Sequence, residues 1–172
     1  MPDFDLRAHT HLLTLAGSRA YGLHGETSDV DLRGVAIPPA RYLHGFLRTF
    51  EQADDADEVA VFTADLGDEA AAARAHGLEG SVYGIRKFLR LAADCNPNIL
   101  DVVFCRDAEI RRITPVGRRL REARQAFLSQ RARYTYTGYA AAQLKRIEGH
   151  RAWLLDPPKA PPMPSPSRLR IR

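Results

Sequence analysis

Two cysteines, one tryptophan and two methionines are all that this chain of 172 residues holds of those types. Cys95 and Cys105 are too few for a disulfide framework, and neither belongs to a CxxC or CxxH spacing that would hold zinc. No run of 18 or more apolar residues occurs, which excludes a helix that crosses a membrane. The opening MPDFDLRAHTH carries acids and lacks the apolar centre of a secretory leader. No internal repeat is visible. These absences lead to the expectation of a cytoplasmic protein with reduced thiols and a single substantial core.

Charge is present in quantity and is unevenly placed. Residues 1–105 hold 9 Lys/Arg against 16 Asp/Glu, whereas residues 106–172 hold 16 against 5. An acidic region beside a basic one suits a metal site next to a phosphate-bearing partner, although a solvated Arg-rich surface has the same composition.

Leu12 to Ala16 is an apolar run that ends at Gly17, as a buried strand does when it enters a tight turn. Gly17-Ser18-Arg19-Ala20-Tyr21-Gly22 reads as a turn that opens a short helix, with Ser18 as its N-cap. From Asp29 to Ile37 the pattern alternates at its start, the period of a strand, and Pro38-Pro39 stops it. Residues 51–78 form an irregular acidic stretch, expected as a variable insertion over the core. Val82, Ile85, Phe88, Leu89 and Leu91 predict a helix from Ser81 to Asp94, which Asn96-Pro97-Asn98 breaks before an apolar run from Ile99 to Phe104. Thr114-Pro115 predicts a helix start, with the helix ending near Leu128, and a second helix is expected over Tyr134–Leu155. Three parts follow: a core at 1–105, a helical segment at 106–156 and a Pro/Arg-rich flexible tail at 157–172.

Gly17-Ser18, ten intervening residues and then Asp29-Val30-Asp31 carry the chemistry. Alternation along a strand puts Asp29 and Asp31 on one face, their Cβ atoms about 7 Å apart. Two such carboxylates repel, and a hard divalent cation such as Mg²⁺ or Mn²⁺ resolves the repulsion while it also takes phosphate oxygens. The preceding strand–Gly-Ser–helix turn offers backbone N–H groups to an anion. A metal pair beside a phosphate cradle is the minimum equipment for phosphoryl or nucleotidyl transfer.

Gly-Ser, a short helix and Asp-hydrophobic-Asp resemble the signature of the DNA polymerase β-like nucleotidyltransferases. GSRAYG, SDVDLRGV, YGIRKFLRLAADCNPNILDVVFC and GYAAAQLKRIEGHRAWLLDPP are similar to bacterial and phage nucleotidyltransferases associated with RNA repair, over residues 12–50 and 79–158. The resemblance implies an α/β (α+β) fold, a mixed sheet flanked by helices, followed by C-terminal helices. It implies two divalent ions held by Asp29, Asp31 and a third carboxylate, whose matching position is Glu79 and whose fallback is Asp65. It also implies an NTP donor such as ATP, held at Gly17 and Ser18 with charge added by Arg19.

The activity expected on that basis moves a nucleoside monophosphate from the NTP to a hydroxyl, most readily on RNA, and releases pyrophosphate. A protein partner or small molecule is the alternative acceptor, and a catalytically idle NTP- or RNA-binding module is the alternative to an enzyme. Arg118, Arg119 and Arg121 are the candidates for tracking an RNA backbone; Tyr134, Tyr136 and Tyr139 are candidates for stacking on bases, although helix packing explains them as well. His9, His11, His24, His44 and His76 have no metal-ligand spacing.

Overall fold

A computed structural model describes residues 2–155, with side chains as far as residue 151. The tail expected at 157–172 lies outside the described residues. Two compact units divide between Thr135 and Tyr136.

The first unit begins with α1 (Leu6–His9), β1 (Thr10–Ala16) and α2 (Gly17–Ala20). After a loop come β2 (Val30–Ala36), α3 (Ala40–His44) and β3 (Gln52–Ala53). The acidic stretch then winds through α4 (Ala56–Val59), two 3₁₀ turns (Ala60–Asp65 and Gly67–Glu69) and α5 (Ala70–His76). β4 (Leu78–Gly84) leads into α6 (Ile85–Ala93) and α7 (Pro97–Phe104). A 3₁₀ turn (Asp107–Glu109), β5 (Ile110–Ile113), α8 (Pro115–Glu122) and a further 3₁₀ turn (Ala123–Phe127) complete the order up to α9 (Arg131–Leu155). In the second unit residues 136–155 continue α9, and Tyr139, Leu144 and Ile147 are exposed there.

Five strands form one mixed sheet in the order β3-β4-β2-β1-β5. β2 runs antiparallel to β1 and parallel to β4, while β5 and β3 close the edges antiparallel to their neighbours. The parallel pair needs a crossover, and residues 37–77 supply it. One face packs Leu13, Leu15, Val30 and Leu32 against Val59, Phe62, Leu66 and Ala73. The other packs Leu12 and Val35 against Phe88, Ala92, Ile99, Leu100 and Val103 from α6 and α7. This is the α/β architecture that the sequence implied.

Several local expectations change. The stretch at 51–78 is part of the core, since Ala53, Val59 and Phe62 are fully buried and β3 pairs with β4. Ser81–Gly84 belongs to a strand and not to the following helix, because sheet pairing with β2 outweighs the apolar spacing that continues into α6. Asn96 begins a helix as well as ending one: its side chain accepts from the N–H of Asn98 at 3.1 Å and Pro97 takes the first position of α7. Thr114 caps α8 as expected, accepting from the Gly117 N–H, but that helix gives way to a 3₁₀ turn after Glu122. The boundary at 105/106 falls inside the sheet-forming unit, because β5 pairs with β1 and Phe127 packs on the second cluster.

Candidate metal and nucleotide site

β1 delivers the chain to Gly17 at the strand's C-terminal end, where a left-handed turn (φ +57°) reverses it into α2. A Cβ built on Gly17 would overlap the Asp31 carboxylate, so glycine is required twice, by the turn and by that close approach. Ser18 does not cap α2. The cap position is Ala16, and Ser18 lies within the turn, its carbonyl accepting from the Leu23 N–H at 2.8 Å.

The sheet register aligns the acids. Asp31 lies opposite Ala16 of β1 on one side and opposite Glu79 of β4 on the other. Asp29 precedes β2 by one residue. One carboxylate oxygen from each of Asp29, Asp31 and Glu79 lies within 4.8 Å of the others. Asp29 and Asp31 are half-buried and Glu79 is exposed. Burial pushes the Asp31 carboxyl above its ordinary range, Asp29 and Glu79 push the same way, and Arg33 opposes them. Three converging oxygen donors, of which Asp31 is made harder to ionise by its two neighbours, are the donor set of a hard divalent cation. Asp65, the alternative third carboxylate, is committed elsewhere: it accepts a bidentate pair from Arg7 at 2.7 and 2.9 Å, with Arg112 at 3.7 Å.

Arg19 departs from the role of a phosphate contact. It is 9% exposed, and its guanidinium donates to the Ser28 carbonyl at 2.7 Å, the Asp29 carbonyl at 2.8 Å and Glu69 at 2.5 Å. The side chain therefore anchors the loop that carries Asp29 to the crossover segment. Arg106 donates to the carbonyl of Ala20 at 3.0 Å and so fixes the far end of α2.

Two cavities flank the carboxylates. One, of about 360 Å³, opens between the Gly17 turn and α7 and is lined by Thr14, Tyr21, Asp101 and Arg106 among others. The Tyr21 hydroxyl donates to Asp101 across it at 2.5 Å. The second lies over β4 and is lined by Asp31, Glu79, Ser81 and Asp54 among others. Arg33 lines both. Sequence reasoning passed over Arg33, although the alternation that pairs Asp29 with Asp31 also puts residue 33 on that face. Nothing local could have found Glu69, which reaches Arg19 from 50 residues away.

Of the basic candidates, Arg118 and Arg119 are exposed, whereas Arg121 binds Asp107 at 2.8 Å and the Cys105 carbonyl at 2.7 Å. Among the described residues, no helix is long and apolar enough to cross a membrane. No curated protein and no solved structure matches the chain. A family model described as "RlaP: RNA repair pathway DNA polymerase beta family" matches residues 7–155, the span that holds the sheet, the Gly17 turn and all three clustered acids, and the chain belongs to that family.

Proposed function

We propose that the protein is a metal-dependent nucleotidyltransferase that moves a nucleoside monophosphate from an NTP to a hydroxyl, with an RNA end as acceptor. The observation that carries this reading is the convergence of Asp29, Asp31 and Glu79 beside a glycine turn. Family membership supports nucleotidyl transfer in RNA repair at the coarser level.

Asp29, Asp31 and Glu79 would hold Mg²⁺ or Mn²⁺, and two such ions neutralise phosphate charge and make the acceptor hydroxyl more acidic. Gly17 and Ser18 receive the terminal phosphates of the donor. Arg19 keeps Asp29 in place through its carbonyl. Glu79, the most exposed of the three acids, faces the acceptor side and takes the hydroxyl proton. The acceptor oxygen forms its bond to the α-phosphorus, the bond from that phosphorus to the bridging oxygen breaks, and pyrophosphate leaves with the electron pair. We place the reaction in the cytoplasm, in keeping with the scarcity of cysteine.

Incubating the protein with each labelled NTP, Mn²⁺ and RNA tests the assignment. Labelled RNA and released pyrophosphate, both lost in Asp31→Asn, are expected. Label on protein or on a small molecule instead would replace the acceptor, and NTP binding without transfer would leave an idle binding module. RNA affinity should fall steeply with salt and drop further in Arg118→Glu/Arg119→Glu.

A further inference from the structure

Two rows of side chains cross the sheet on the face that carries the site. Ala16, Asp31 and Glu79 lie in register across β1, β2 and β4. The next row, one pleat deeper, is Thr14, Arg33 and Ser81. A carboxylate row therefore adjoins a row of hydroxyl, guanidinium and hydroxyl. Thr14 lines the cavity beside the Gly17 turn, Ser81 lines the cavity over β4, and Arg33 is the residue common to both.

Arg33 also stands apart in its bonding from the other buried and half-buried arginines among the described residues. Arg7, Arg19, Arg112 and Arg121 each hold an acid and, Arg7 apart, a carbonyl as well. Among the described residues no hydrogen bond or ion pair engages the half-buried Arg33 guanidinium, although Asp31 is two residues away. A permanently charged fork of donors held in a cleft, its field felt by Asp31 but its N–H groups not bonded to any acid or carbonyl among the described residues, is suited to an anion that arrives from outside. The anion has to fit between the two cavities and against the carboxylate cluster at once.

We propose that Arg33 grips the phosphoryl group in transit, donating to a non-bridging oxygen of the donor's α-phosphate as that group passes from a donor held in the cavity beside the Gly17 turn to an acceptor held in the cavity over β4. The proposal rests on the nucleotidyl-transfer reading above. Arg33 acts on charge that redistributes during transfer, so its contribution appears in the rate of transfer more than in donor affinity. Thr14 and Ser81 flank it and leave the guanidinium no neighbouring acid within its own row.

The test compares wild type, Arg33→Ala and Arg33→Lys in two assays. One is turnover with Mn²⁺, NTP and acceptor. The other is binding of Mn²⁺ with an NTP analogue that cannot be cleaved between its α- and β-phosphates, followed by thermal shift. Arg33→Ala should lose roughly 100-fold or more in kcat, the scale of removing one charged donor from a transfer site. It should still bind the analogue within a few-fold of wild type, and added guanidinium ion should restore part of the rate. Arg33→Lys, which keeps the charge without the fork, should fall between the two, and it serves alone if Arg33→Ala does not fold. Turnover of the folded variants within about threefold of wild type would overturn the role of Arg33. So would loss of analogue binding in step with rate and without guanidinium rescue, the outcome of a purely structural residue. If the wild type binds no analogue, the nucleotidyl-transfer reading fails first and takes this proposal with it.

Discussion

Val30 and Leu32 on one face of β2 are fully buried, whereas Asp31 and Arg33, their immediate neighbours on the other face, stay half-exposed and charged. The buried face meets Val59, Phe62 and Ala73, so removal of apolar area from water holds the strand in place. The other face is divided: Val35 packs against Phe88 and Ala92 at one end, while at the open end Asp29 and Glu79 make the Asp31 carboxyl harder to ionise, which costs some of that hold. One strand thus separates the source of stability from the source of chemistry by a single peptide step. The rigid half can hold the repelling half in a geometry that those acids would not adopt alone.

Substitutions at neighbouring positions of β2 should therefore act in opposite directions. The largest stability effect is expected from Leu32→Ala, which leaves a cavity among fully buried side chains and should cost about 2–5 kcal/mol in denaturant unfolding. Stability within 1 kcal/mol of wild type would show that the two faces are less different than their burial indicates.

Arg19 sharpens the comparison, because it is buried yet serves the charged face. Arg19→Met should cost about 2–3 kcal/mol, since it strands Glu69 and frees the carbonyls of Ser28 and Asp29. It should also weaken Mn²⁺ binding, as measured by calorimetry, because the Asp29 loop loses its anchor. Unchanged Mn²⁺ affinity would remove Arg19 from the support of the site.

Ser18→Ala should leave the melting temperature of the NTP-free protein unchanged, since Ser18 contributes its carbonyl and not a side-chain cap. NTP affinity should fall by about 1–2 kcal/mol, the scale of one hydrogen bond to a charged group. Equal affinities in a titration would take Ser18 out of the phosphate turn.

The stability effect of opposite sign belongs to Asp31→Asn. The folded-state carboxyl titrates above its ordinary 3.8, so its stabilising contribution is complete below that value and is lost as pH rises through the folded-state pKa. Above that range the ionised pair is a cost, and the metal-free mutant should melt at the wild-type temperature or up to about 1 kcal/mol more stably. Mn²⁺ plus NTP should raise the melting temperature of the wild type and barely move the mutant. A mutant that is clearly less stable without metal and gains as much as wild type with it would make the pair structural.

What could be read directly from the sequence was whatever depends on neighbours along the chain. The Leu12–Ala16 run, the glycine at 17 and the alternation from Asp29 to Asp31 each encode a strand, a turn or a shared face through local sterics and period, and together they carry the family resemblance. Thr114-Pro115 announced a helix start for the same reason. Tertiary structure decided the rest, because pairing across a sheet joins residues whose separation no local pattern records. Only the parallel register of β2 with β4 brings Glu79 opposite Asp31, turns Ser81–Gly84 from helix to strand, and sets Ser81 beside Arg33. Folding of residues 51–78 into the core likewise delivers Glu69 to Arg19 and commits Asp65 to Arg7. Those positions depend on which apolar surfaces the crossover buries, and burial is a property of the packed chain, not of any short window within it.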